Sequence, residues 1–173
     1  MSDAVEIREA RPDELETLGE LTVRAYAQLP GMPGEDVFGE YYADLRDVAG
    51  RAARPGVTIL VAADSHGALL GGVTYMSHMK SYGAEPAFAE IEAAGFRMLA
   101  VDERARGLRL GRGLTEACLA RARAAGHDEI ILHTTPHMPI ARGMYERMGF
   151  RRSPDLDFHP TPGVTVMGFR LRL

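Results

Sequence analysis

The chain holds a single lysine, Lys80, and a single cysteine, Cys118. A P-loop must end its glycine turn in Gly-Lys-Ser/Thr, and Lys80 stands outside the glycine-rich stretch, so that nucleotide motif is excluded. One cysteine allows no internal disulfide and points to a reducing compartment. Cys118 falls in step with Leu114 on a helical pattern and reads as a small core residue rather than a nucleophile. No apolar run approaches the ~18 residues of a membrane span. Charges interrupt the first twenty residues, unlike a signal peptide. The expectation is a cytoplasmic protein with no membrane partner. An excess of positive charge is also missing: 20 Lys and Arg stand against 24 Asp and Glu, a net charge of −4. That argues against nucleic acid as a partner. Repeats, linkers and low-complexity segments are absent. The 173 residues, 46% hydrophobic and 25% charged, therefore read as one domain over residues 1–173 with a substantial core.

What the chain does have is a centre, the stretch Phe96 to Leu114, FRMLAVDERARGLRLGRGL. Phe96 to Val101 is a short apolar run that reads as a strand. A turn over Asp102 to Arg106 follows, then a segment rich in glycine and arginine to Gly113. A helix is expected from Leu114. The first N–H groups of a helix lack partners inside it and lie at the positive end of its dipole. Glycines let an anion approach that backbone, so a phosphate or pyrophosphate is the natural guest. A dinucleotide fingerprint would need a third glycine where Glu116 stands, so that match is poor.

The remaining pattern supplies a sheet and its helices. Val5 to Arg8 alternates as a strand. Leu15, Leu18, Thr22, Ala25 and Leu29 mark a helix, broken by Pro30 to Gly34. A second helix is expected from about Asp36 to Gly50, with Val37, Phe38, Tyr41, Tyr42, Leu45, Val48 and Ala49 on one side. Thr58 to Ala63 and Leu69 to Ser77 read as a hairpin. Gly71 and Gly72 mark a bulge or a close backbone approach. His78 to Gly95 reads as a loop with a short helical turn. Glu129 to Thr134 is a strand, Phe150 to Arg152 another, and Val164 to Leu171 the last. The order β-α-α-β-β-β-α-β-α-β-β means a mixed α/β (α+β) fold on one central sheet.

A second motif lies at Pro139 to Phe150, PIARGMYERMGF. Pro139 suits a helix start, and Gly149 suits its C-terminal cap. Ile140, Ala141, Met144, Tyr145 and Met148 are expected on one face. Val101 followed by Arg106, Gly107, Leu108, Arg109, Leu110 and Gly111 resembles the acetyl-CoA pyrophosphate loop of the GNAT family of N-acetyltransferases, except that Arg109 replaces a glycine. Ala141, Tyr145, Glu146, Gly149 and Phe150 are similar to that family's second signature. The resemblance implies the GNAT fold: a mostly antiparallel seven-stranded sheet flanked by about four helices. Its parallel pair, Phe96–Val101 and Glu129–Thr134, should splay apart.

The resemblance also implies a chemistry, direct acetyl transfer from acetyl-CoA, without a metal, to a primary amine in a ternary complex. The alternatives are another acyl donor on the same fold or a non-catalytic acyl-CoA-binding module. Main-chain groups of Leu99, Ala100 and Val101 would bond the pantetheine arm. N–H groups from Arg106 to Gly111, with Arg106, Arg109, Arg112 and Gly113, would hold the pyrophosphate. Ala141, Met144 and Tyr145 would line the donor from the second motif. Met138 stands where the family often has asparagine, so that contact is either lost or moved to Thr134 or Thr135. Tyr145 would protonate the leaving sulfur. Glu92 is a candidate base, with Glu90, His78, His133, His137 and a water chain as rivals. Pro136 between His133 and His137 argues against a helical metal pair. The acceptor, a small-molecule amine or a protein or peptide amine, would meet the first two helices. There Glu35, Asp36, Glu40 and Asp44 lie beside Tyr26, Tyr41 and Tyr42. A monomer and a homodimer are both compatible with the pattern.

Overall fold

The computed structural model describes residues 4–82, 88–160 and 164–173. Glu85 and Pro86, in the stretch hardest to read from sequence, lie outside them. Seven strands form one sheet: β1 (Glu6–Glu9), β2 (Val57–Ala63), β3 (Leu69–Met76), β4 (Ala94–Val101), β5 (Glu129–Thr134), β6 (Arg151–Arg152) and β7 (Met167–Arg172). Their spatial order is β1-β2-β3-β4-β5-β7-β6. Every neighbouring pair is antiparallel except β4 and β5. Five α-helices cover it among the described residues: α1 (Leu15–Ala27), α2 (Gly39–Arg46), α3 (Val48–Ala52), α4 (Leu110–Ala124) and α5 (Pro139–Arg147).

β2 is apolar except for Thr58 because both faces of its inner stretch, Ile59 to Ala63, are buried. Ile59, Val61 and Ala63 pack with Leu18, Leu21 and Tyr26 of α1 and Leu45 and Val48 of α2 and α3. Leu60 and Ala62 pack on the other face with Leu114, Cys118 and Ala122 of α4 and Tyr145 of α5. A smaller core of Met76, Met79, Tyr82, Phe88, Ile131 and Leu156 closes the end near Phe158. Each fully buried large side chain contributes about 1.5–3 kcal/mol relative to exposure.

Three expectations need correction. The single helix from Asp36 to Gly50 is two, because Asp47 leaves helical geometry (φ −78°, ψ 62°) and its carboxylate accepts from the Gly50 N–H, capping α3. Val37, which precedes the start of α2 at Gly39, and Ala49, just past the break, are both exposed. Helix α4 begins at Leu110, not Leu114, so Gly111 and Gly113 lie in its first turns, with Gly113 close against Ile7 of β1. Ile140 is 86% exposed instead of sharing the inner face of α5.

The strand at the centre carries a feature that alternation hides. Ala94 and Phe96 face α4, but so do Leu99 and Val101, while Met98 and Ala100 face α1. The switch in parity arises at a bulge. Gly72 pairs with Ala100 and Thr74 with Arg97, leaving Met98 and Leu99 opposite Val73 alone. Met98 takes a positive φ of 55° there. Farther along, Gly71 lies so close to β4 that an added Cβ would stand 2.7 Å from the Ala100 carbonyl oxygen.

Candidate active site

The parallel pairing of β4 and β5 runs only from Ala94↔Ile130 to Phe96↔Leu132. Beyond Phe96 the two strands part, and the facing edge of β4 has no strand partner among the described residues. Two clefts open there. The first, about 680 Å³, is lined by Leu99, Ala100 and Val101 of β4 and by Arg106, Gly107, Arg109, Leu110, Gly111 and Arg112. Met138, Ala141, Met144 and Arg147 close its other wall, and Ala25 and Leu29 of α1 form its rim. The second, about 710 Å³, is lined by Phe38, Glu40, Tyr41 and Asp44, by Tyr82, Arg97 and Met98, and by His133, Thr134, Thr135 and Phe158. Tyr26, His137 and Met138 line both, so the clefts meet at these three residues.

The first cleft is built for an anion. Arg106, Arg109, Arg112 and Arg147 line it with no Asp or Glu among the described lining residues, in a chain whose net charge is −4. The first helical N–H to find an intrahelical partner is that of Gly113, which donates to the Arg109 carbonyl at 3.1 Å. The N–H groups of Leu110, Gly111 and Arg112 precede it at the positive end of α4. Gly107 turns the chain with φ +88°. Arg109 is the N-cap of α4 and is left-handed at φ 57°, ψ 27°, a conformation that costs a non-glycine residue about 1–2 kcal/mol. Arg112 is partly neutralised by Glu116 at 2.8 Å. Arg147 escaped the sequence reading, since only the fold of α5 across the splay brings it here.

The second cleft is rich in aromatic rings: Tyr26, Phe38, Tyr41, Tyr82 and Phe158 line it. Tyr41 stacks edge-on or tilted against Tyr26, Phe38 and Tyr42. Of the acidic residues noted on this side, Glu40 and Asp44 line the cleft. Glu35 instead pairs with Arg46 at 3.0 Å, and Asp44 is paired with Arg97 at 3.4 Å. His133 sits among Tyr82, Phe88 and Phe158. Its Nε2–H donates to the Leu156 carbonyl at 2.8 Å, and burial holds its pKa down at about 4. It is therefore a neutral ring at pH 7, with a buried Nδ1 that has no hydrogen-bond partner among the described residues. The Thr134 hydroxyl is likewise buried and without a partner among them. His137 donates from Nδ1 to the Pro30 carbonyl at 3.2 Å, tying the α1–α2 linker to the start of α5.

The remaining expected site residues fall elsewhere. Leu108 is exposed beside the loop, and Gly113 packs on β1. Neither is among the cleft-lining residues. Thr134 belongs to the aromatic cleft, not the arginine cleft. Glu92 is exposed just before β4 and lines neither. Tyr145 is 5% exposed, between Phe96 and Phe150 with ring centroids 5.8 Å away on both sides. Burial raises its pKa well above 10. Tyr26 is raised in the same way, first by burial and then by Tyr145. Cys118 is fully buried, and burial pushes its thiol pKa up as well.

A parallel pair that splays beside an arginine-lined helix N-terminus defines an α/β class with a cleft at the opened edge of its sheet. The Acetyltransferase (GNAT) family model matches residues 18–150, and the chain belongs to that family. An acetyltransferase of the GNAT family from Staphylococcus aureus superposes with a TM-score of 0.75 at 19% identity, covering 98% of this chain and 99% of that one. The PaiA N-acetyltransferase from Thermoplasma acidophilum, solved in complex with coenzyme A, superposes with a TM-score of 0.74 at 15% identity over 98% and 99% of the two chains. In sequence, the mycothiol acetyltransferase of Thermobispora bispora is 34% identical over 90 residues, which are 52% of this chain and 29% of that protein. The chain thus matches under a third of the length of this curated relative. Among the described residues no helix is long and apolar enough to cross a membrane.

Proposed function

We propose that the protein is an N-acetyltransferase that moves an acetyl group from acetyl-CoA to a primary amine by direct attack in a ternary complex. The observation that carries this reading is the junction of the two clefts at Tyr26, His137 and Met138. An anion-binding cleft there abuts an aromatic one, so a donor in the first presents its reactive end to an acceptor in the second. The pyrophosphate would lie on the N–H groups of Leu110, Gly111 and Arg112, bracketed by Arg106, Arg109 and Arg147. The pantetheine amides would pair with the unpartnered edge of Leu99 to Val101 as an added strand.

The amine nitrogen attacks the thioester carbonyl carbon. A C–N bond forms, the C–S bond breaks, the amine proton leaves to solvent, and the thiolate takes a proton to become free CoA. Tyr145 is proposed as the donor of that last proton. Its raised pKa keeps the hydroxyl protonated at neutral pH. A covalent acetyl-cysteine route has no support, because the sole cysteine is buried and held as a thiol. The likeness to a mycothiol acetyltransferase supports acetyl transfer, but the short matched segment leaves the acceptor open. The alternatives are a transferase for another acyl donor and a non-catalytic acyl-CoA-binding module; two observations favour the latter, since neither Glu92, the candidate base, nor the buried Tyr145 is among the lining residues of either cleft.

Calorimetric titration of acetyl-CoA and CoA tests the reading. Micromolar binding is expected, and Arg106→Ala combined with Gly111→Asp should abolish it by removing a cation and placing a carboxylate at the helix N-terminus. No binding of either ligand at millimolar concentration would sink the proposal. Binding without thiol release across a broad amine panel would favour the binding module.

A further inference from the structure

The aromatic cleft is lined by charges of both signs, Glu40 and Asp44 on α2 and Arg97 on β4. Arg97 of β4 lines it with a side chain 18% exposed. It is the only Arg or Lys among the described lining residues. Its cross-strand partner is Thr74, whose hydroxyl accepts from Arg51 Nε at 3.2 Å. Arg51 is buried beneath this wall and donates its other N–H groups to the Asp44 and Leu45 carbonyls. Burial, and then the charge of Arg97, lower its pKa to about 10. Arg51 thus spends its bonds on backbone carbonyls and the Thr74 hydroxyl, and of the two guanidinium groups only that of Arg97 meets the Asp44 carboxylate.

That carboxylate is a poor partner. Asp44 contacts Arg97 Nη2 at 3.4 Å, against about 2.7–2.9 Å for a good charge-assisted bond. The other protein acceptor is the Tyr82 carbonyl, which takes a bond from Nη1 at 2.5 Å. Of the five N–H donors of a guanidinium, two are thus engaged by described residues. The group is nonetheless fixed, because its plane lies over the Tyr82 ring with the carbon 4.7 Å from the centroid. A half-buried, oriented fork with spare donors, backed by a second buried cation, is a receptor for a planar anion. The walls around it, Tyr26, Phe38, Tyr41 and Phe158, are apolar over most of their surface.

We propose that the acceptor is an amine that also carries a carboxylate on an apolar body, as in an apolar amino acid, and that Arg97 binds this carboxylate. The inference rests on the transferase reading above and names the acceptor class for the same site. Asp44 occupies the fork when no acceptor is bound and competes with the acceptor for it.

The experiment measures free thiol release from acetyl-CoA with leucine, methionine and phenylalanine, with their carboxamides, and with the amines left by removing the carboxyl group. Each triplet holds the apolar body constant and varies only the anion. At least one acid should be acetylated with kcat/KM more than tenfold above its amide and amine. Arg97→Gln should lower kcat/KM for that acid by roughly 30-fold or more, leave the amide within about threefold, and leave acetyl-CoA binding unchanged by calorimetry. Arg97→Lys should recover part of the loss. Asp44→Asn should act in the opposite sense and raise kcat/KM for the acid, mainly through KM, which a variant that merely disturbs the fold would not do. If Arg97→Gln fails to fold, the acid-to-amide ratio of the unaltered protein and the Asp44→Asn shift decide. Equal or better use of amides and amines, acetylation of no acid by a protein that binds acetyl-CoA, or equal losses for acids and amides in Arg97→Gln would each overturn the inference. Failure to bind acetyl-CoA would instead remove the transferase reading, and this inference with it.

Discussion

Replacing Arg109 with glycine separates backbone strain from charge at the anion-binding turn. Arg109 holds φ 57° at the N-cap of α4, and relief of that conformation is worth about 1–2 kcal/mol. Glycine loses more chain entropy on folding, about 0.5–1 kcal/mol. The net expectation for Arg109→Gly is a gain of about 0.5–1 kcal/mol, or roughly 1–4 °C in Tm for a domain of this size. Arg109→Ala is the control, because it loses the same charge and keeps the strain. Thermal melts should rank the glycine variant above both the alanine variant and the unaltered protein. Acetyl-CoA affinity should fall by a similar, roughly two- to fivefold factor in both variants, the size of a solvent-exposed ion pair. A glycine variant that melts at or below the alanine variant would refute the strain argument. Unchanged affinity in both would show that Arg109 does not touch the phosphates.

Three further outcomes are expected. Tyr145→Phe keeps the rings of Phe96 and Phe150 packed and should lower kcat by about 10²- to 10⁴-fold with little change in KM for acetyl-CoA; a loss under threefold in steady-state assays would remove its role. Glu14 accepts from Arg8 at 2.7 Å and from the Arg11 N–H at 2.7 Å, and the Arg8 hydrogen bond, ahead of the others, lowers its pKa from 4.5 to about 2. Its stabilisation is therefore present above about pH 4.5 and lost as pH falls toward 2, so Glu14→Gln should melt lower at pH 7 and show a flatter acid limb in Tm against pH; parallel limbs would contradict the pairing. Gly71→Ala would drive a methyl group into the Ala100 carbonyl and should cost about 1–3 kcal/mol, read by chemical denaturation, with weaker acetyl-CoA binding because Ala100 lines the donor cleft.

Much of this architecture was legible along the chain, and the reasons are local. β2 and β5 announce themselves as short apolar runs bounded by turn residues. Helix α5 is bracketed by Pro139 and by Gly149, whose φ is 97°. The anion turn is a contiguous stretch, so its arginines and the helix start after them could be read together. The start of α4 was misplaced because Leu110, Gly111 and Gly113 have the composition of a turn. Leu110 and Leu114 packing into the core outweighs the poor helix propensity of those glycines. The break at Asp47 was missed because apolar spacing continues across it. An aspartate that caps the following helix leaves that spacing almost intact.

By itself the sequence determined the order of the strands and the cationic turn, while the parallel central pair came from the resemblance of its two motifs to the GNAT signatures. The strands and the turn depend on periodicity, turn chemistry or spacing within a few dozen residues. Only the tertiary structure decided the rest. The bulge at Met98 inverts the facing of half a strand, and β-alternation cannot signal it because every residue from Phe96 to Val101 except Arg97 is apolar. The meeting of the two clefts depends on Tyr26 of α1 and Met138 before α5, more than a hundred residues apart. The standing of Arg97 depends on Asp44, Arg51 and Tyr82, which come to it from other elements. Charge and burial at such a point are sums over neighbours that packing brings together, and adjacency along the chain does not contain them.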